Sequence, residues 1–168
     1  MIVRTTLILI ALISFFSGCS SYHLGSGKEL PFRKIYVSPV ENRSKAPQIK
    51  AVVTNLVRER IRQEPGLSLA SSESDADAVL EVDISRYDRD MSAAAEDTDL
   101  AQSYRLGIEA SCSLLSSNNG RVYFRNRKVY AKNIAYNNEH ITSAQRQNFP
   151  ALADVLARKI VDEVTGIW

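Results

Sequence analysis

Apolar and polar positions change period several times along the chain, and each change predicts an element. Leu7 to Phe16 is almost wholly apolar and too short to span a bilayer, which takes about 20 residues. "RKIYVSPV" alternates, with Ile35 and Val37 on one side and Tyr36 and Ser38 on the other; its β-branched and aromatic content predicts a first strand. Pro39 is expected to end it or mark an edge. Pro47 suits the first position of a helix. From there Ile49, Val52, Val53, Leu56, Val57 and Ile61 recur at helical spacing, and Pro65-Gly66 stops the pattern.

Alternation returns from Val79 to Tyr87, where Leu80, Val82 and Ile84 face one way and Glu81, Asp83 and Ser85 the other. "DRDMSAAAEDTDLAQ", acidic and rich in alanine, reads as a mobile loop over residues 88–102. The next strand has the most regular pattern, with Tyr104, Leu106, Ile108, Ala110, Cys112 and Leu114 on one face and Arg105, Glu109, Ser111 and Ser113 on the other. "SSNNG" predicts a hairpin turn, because Asn-Gly accepts positive φ. The strand from Arg121 to Tyr136 changes phase: Val122 and Phe124 share one side, Val129 and Ala131 the other, so a β-bulge is expected in "RNRK". A second amphipathic helix closes the chain, with Pro150 expected in its first turn and Leu152, Val155, Leu156, Ile160 and Val164 as its stripe. The order β-α-β-β-β-α predicts an α+β two-layer sandwich, two helices on one face of a roughly four-stranded mixed sheet.

The N-terminal run, preceded by Arg4 and followed by Ser17, Gly18 and Cys19, has the form of a secretory signal. Its end resembles the lipobox of bacterial lipoproteins, in which cleavage precedes a cysteine that carries the lipid. Residues 1–18 are therefore expected to be a lipoprotein signal peptide, 19–32 the lipidated Cys19 with a Gly/Ser-containing tether, and 33–168 a single domain. Several acyl chains on Cys19 anchor a protein stably without a membrane span. Ser20 stands where an inner-membrane retention signal would place aspartate, so the outer membrane is the expected destination. The formal net charge of +2 falls by one with Arg4, and a chain so close to neutral has no bulk charge with which to hold nucleic acid.

Candidate chemistry is sparse. The two histidines, His23 and His140, have no partner at ligand spacing, and no nucleophile elbow, phosphate-cradling glycine loop or paired catalytic carboxylate occurs. No enzyme activity, metal or cofactor is expected. "ESDAD" (73–77) lacks the glycine and distal glutamate of a calcium loop and reads as a solvated turn. Cys112 is a leftover thiol whose place in the alternation points it at the core. Charge is the remaining signal: Arg86 and Arg89 leave the second strand, and Arg121, Arg125, Arg127, Lys128 and Lys132 fall on the fourth. Such a cluster holds phosphates; equally, it is a solvated face, or an edge strand guarded against self-pairing.

"GCSSYHLG", "LPFRKIYVSPVENRS", "SESDADAVLEVDISRYDRD", the long third strand and a final helix ending in "GIW" follow one another in an order that resembles the LptE family of lipopolysaccharide-assembly lipoproteins. The resemblance spans essentially the whole chain after the signal; none of its motifs is catalytic, and the match rests on pattern and order together. It implies a domain at the periplasmic face of the outer membrane that plugs and helps assemble an LptD-like β-barrel, and that assists lipopolysaccharide delivery. It also implies lipid contact through basic residues. Arg86, Arg89, Arg125, Arg127, Lys128 and Lys132 are candidates for that contact from local charge alone. Carboxylates of the 88–102 segment would repel phosphate. The alternatives are a structural or secretion-system lipoprotein forming homo-oligomers, and a periplasmic hydrolase for which no residue can be nominated.

Overall fold

The computed structural model describes residues 30–95, 98–136 and 141–167. Cys19, His23, His140 and Trp168 lie outside the described residues. Among the described residues, six strands and two α-helices follow in order: β1 (Lys34–Val37), β2 (Glu41–Asn42), α1 (Ile49–Gln63), β3 (Ser68–Leu69), β4 (Ala78–Ala95), β5 (Thr98–Ser116), β6 (Val122–Tyr136) and α2 (Ile141–Thr165). The sheet runs β3-β1-β4-β5-β6, and β2 continues the line of β1 along β4. β1 pairs in parallel with β4, whereas β4, β5 and β6 form an antiparallel meander. The expected α+β sandwich is therefore present, with two short strands added where "LSLA" and Glu41-Asn42 meet their neighbours.

Both helices cover one face of the sheet. The apolar rows meet there: Ile49, Val53, Val57 and Ile61 from α1, Leu152, Leu156, Ile160 and Val164 from α2, and Leu80, Ile84, Leu106, Ile108 and Leu114 from the strands. All are almost completely buried, as the two periods require. Arg60 of α1 forks onto the carboxylate of Asp154 in α2 at 2.7–3.1 Å, and Arg158 joins it, so the helices are also tied at their rim. Among the described residues, no helix is long and apolar enough to cross a membrane.

Several expectations need correction. The 88–102 segment is not a loop, since β4 runs to Ala95 and β5 starts at Thr98. Its ladder continues through opposed charges, Arg86 facing Glu109 and Asp90 facing Arg105, is in register from Arg86 to Met91, and becomes irregular beyond Met91. Alanine and acidic residues are poor strand formers alone, but an antiparallel neighbour overrides that preference. α2 starts well before Phe149, leaving Pro150 inside it; its opening "ITSAQRQN" has no apolar stripe to reveal a helix. Pro47 precedes the helix rather than opening it, because Gln48 is the N-cap of α1. In the β5–β6 connection only Gly120 takes positive φ (67°), while Asn119 instead accepts the Arg121 N–H at 3.0 Å.

The bulge in "RNRK" is present. Cys112 pairs with Arg127 and Leu114 with Phe124, which leaves one extra residue on β6, and Asn126 sits there at φ 54°. Ser113 Oγ accepts the Asn126 N–H at 3.1 Å, which explains why this residue of the polar face is itself buried. A second irregularity separates Phe124, in the core, from Val122, which is 43% exposed. These two residues do not share a side.

Two chemical consequences arise from packing. Burial pushes the Cys112 thiol up to about 12, helped by nearby Glu163 and opposed by Arg127. The native protein should therefore resist alkylation at Cys112 at pH 8 and react only on unfolding, as mass spectrometry after a timed iodoacetamide pulse would show. Asp77 Oδ2 accepts the backbone N–H groups of Arg33 and Lys34 at 2.9 and 2.8 Å, and these bonds hold its carboxyl below the usual range. A depressed native pKa contributes stability above the unfolded value, and that contribution disappears as pH falls through the folded one. Replacing Asp77→Asn should flatten the acid limb of a stability–pH curve below about pH 4 and leave the neutral region less stable.

Candidate functional site

The face of the sheet away from the helices is uncovered by any described element, and the alternation of β4, β5 and β6 sends a mixed set of side chains to it. Across the strands, the rows read Glu81–Ser113, Asp83–Ser111–Lys128, Arg86–Glu109–Tyr130, Asp88–Gly107–Lys132 and Asp90–Arg105–Ile134. The β4 side is thus rich in carboxylate, and the β6 side carries lysine with aromatic and aliphatic groups. Tyr130 and Ile134 are 37% and 46% exposed.

Gly107 has a specific reason to be glycine. A Cβ there would meet Asp88 Oδ2 at 2.6 Å and the Tyr130 hydroxyl at 2.7 Å, so the Tyr130 side chain and the Asp88 carboxylate both lie close over this backbone position. Lys132 Nζ in turn sits 4.9 Å from the Tyr130 ring centroid. Arg105, Lys132, Asn133 and Ile134 line a shallow depression of about 530 Å³. A second cleft, about 520 Å³, lies at the other side of the face, where Glu41, Glu81 and Asp83 meet Arg43. There Asp83 Oδ2 pairs with the Arg43 guanidinium and Oδ1 is buried without a hydrogen bond in the described structure.

The six basic candidates do not form one cluster. Arg86, Lys128 and Lys132 reach the open face, where Arg86 contacts Asp88 at 3.4 Å and Lys128 contacts Glu109 at 3.9 Å. Arg125 is exposed within the bulge. Arg89 and Arg127 point to the helix side: Arg89 stacks on Tyr104 with its Cζ 3.7 Å from the ring centroid, and Arg127 pairs with Glu163 of α2 at 2.9 Å. Bulges cause the split. One at Ser85 shifts the phase of β4, placing Arg86 outside and Arg89 inside, and the one at Asn126 does the same for β6. Sequence reasoning missed Arg105 as a member of the set. It stood alone on its strand, and only the β5–β6 register brings it beside Lys132 and Ile134.

The edge of β6 is closed by side chains. Lys159 of α2 donates to the Tyr130 carbonyl at 2.7 Å, and Asn133 Oδ1 accepts the Ile134 N–H at 2.8 Å. Strand addition along this edge would have to displace both.

No group of three or more histidine, cysteine or acidic residues capable of holding a metal occurs among the described residues. A family model for LptE, described as lipopolysaccharide-assembly, matches residues 32–165. The chain belongs to the LptE family. Its LptE fold accounts for nearly all of the described residues, and as a member of this family the chain is structural rather than catalytic. Comparison with curated proteins gives no match.

Solved structures with the same fold include protein XCC0632 from Xanthomonas campestris, at 14% identity and TM-score 0.61, covering 84% of this chain and 89% of that one. The hypothetical protein CT253 from Chlamydia trachomatis has 12% identity and TM-score 0.56, with 80% and 96% coverage. Rare lipoprotein B from Shewanella oneidensis has 15% identity and TM-score 0.52, with 78% and 94% coverage. At these identities the likeness concerns the fold, one that recurs among lipoproteins.

Proposed function

We propose that this LptE-family chain is anchored at the periplasmic face of the outer membrane through acyl groups on Cys19. There it plugs and helps assemble an LptD-like β-barrel and assists lipopolysaccharide delivery to the outer leaflet. The observation that carries this reading is the family match across residues 32–165. The open sheet face adds a physical means. Arg105 and Lys132 flank an apolar Ile134 in one depression, an arrangement suited to a phosphate beside an acyl chain. Lys128 and Arg86 extend the cationic surface, and Asp88, Asp90 and Glu109 limit it, so binding depends on competition with divalent cations for lipid phosphates. Nothing in this mechanism is covalent.

Purified lipopolysaccharide should bind the Arg105→Glu, Lys132→Glu double variant several-fold more weakly than the parent chain. Arg127→Gln, on the helix side, should leave binding unchanged. Equal binding by the parent and the double variant would remove the lipid-contact role from this face. A second reading, an outer-membrane lipoprotein that forms homo-oligomers, is favoured by one observation: the open face gathers four carboxylates on β4 and its two lysines on β6.

A further inference from the structure

We infer that the open face is a docking surface for a second copy of the same chain, joined face to face about a two-fold axis that runs along β5. This deepens the homo-oligomer reading, on which it rests, and does not depend on the barrel. The argument is charge complementarity between strands. Carboxylates Glu81, Asp83, Asp88 and Asp90 belong to β4, and Lys128 and Lys132 belong to β6, two strands away. Stacked sheets lie about 10 Å apart. A two-fold parallel to the strands and above β5 lays β6 of one copy over β4 of the other without changing the level along the strand.

At each level the partners then match. Lys128 shares its row with Asp83, and Lys132 shares its row with Asp88, so each lysine of one copy faces the corresponding carboxylate of the other, where it would join Arg43 on Asp83 and Arg86 on Asp88. Tyr130 shares its row with Arg86, which sets a ring over a guanidinium. Both lysines and Arg86 are exposed, and the ion pairs that Arg86 and Lys128 make within one copy are long, at 3.4 and 3.9 Å. Such pairs hold little energy and are free to re-pair. Small Ser111 lies on the axis strand, and at Gly107 the Tyr130 hydroxyl and the Asp88 carboxylate form the contact surface. Glu109 and Arg105 each meet their own counterpart near the axis; Lys128 lies beside Glu109, and Asp90 shares its row with Arg105, so an opposite charge is at hand for each. A perpendicular in-plane axis would put β4 on β4 and oppose like charges. The contact is isologous, so it closes at two copies.

The test is sedimentation velocity on the full lipidated chain in detergent, with circular dichroism confirming the fold of each variant. A dimer is expected at about 50 mM salt and a monomer at about 0.5 M, where screening acts within about 4 Å. Lys128→Glu with Lys132→Glu should weaken the dimer at least ten-fold, and Asp83→Lys with Asp88→Lys should do the same. An equal mixture of the two variants should restore a heterodimer, because each β6 then faces a β4 of opposite charge. A monomer at every concentration in low salt would overturn both the docking and the homo-oligomer reading. An oligomer that ignores the lysine reversals would overturn this docking alone. Should Asp83→Lys fail to fold, the lysine reversals decide the matter by themselves.

Discussion

Replacing Leu156→Ala should destabilise the protein by about 2–5 kcal/mol. Leu156 is fully buried, in the α2 row that also holds Leu152 and Ile160, and lies against the strands and α1. Truncation removes the transfer energy of its methyl and methylene groups and leaves a cavity that rigid strands cannot collapse into. A single domain is stable by about 5–15 kcal/mol, so one such change takes a large share of the total. Chemical denaturation of the purified chain would measure the shift in midpoint. Leu156→Met should cost less than about 1.5 kcal/mol, because it conserves volume. If Leu156→Ala cost no more than Val122→Ala at the exposed start of β6, the packing described would be wrong.

Thr54→Val should cost about 1–3 kcal/mol despite being nearly isosteric. Thr54 Oγ1 accepts the buried Val40 N–H at 3.2 Å and donates to the Lys50 carbonyl at 2.7 Å. The first bond staples the link between β1 and β2 onto α1. Valine fills the same space but leaves the Val40 N–H with neither protein nor water as a partner. Thr54→Ser keeps the acceptor, loses one methyl and should recover most of the stability. Denaturation midpoints of the two variants separate the hydrogen bond from the packing.

What was legible in the sequence follows from periodicity. The rows Ile49–Val53–Val57–Ile61 and Leu106–Ile108–Ala110–Cys112–Leu114 repeat at the helix and strand periods, and burial followed both. The phase change in "RNRK" was readable because Phe124 and Val129 cannot share a face without an extra residue. The β4–β5 extension was not readable. Its strands pair in register with each other, but the acidic, alanine-rich sequence has no apolar alternation, so composition pointed to a loop. The start of α2 was hidden because "ITSAQRQN" carries no apolar stripe.

The basic set was legible as charge but not as geometry. Arg89 and Arg127 look equivalent to Lys128 and Lys132 along the chain, yet each sits past a bulge that turns it toward the helices. Arg105 shows the reverse case, a lone cation that gains company only through pairing. A site on a sheet face is built across strands, so its members are far apart in sequence.

The decisive measurement for the barrel role is a mild-detergent pull-down of the lipidated protein from its own membranes, with partners identified by mass spectrometry. A stoichiometric large β-barrel of the LptD kind is the result expected from the family and the surface. Recovery of the chain with copies of itself alone would contradict the barrel reading and leave the homo-oligomer in its place.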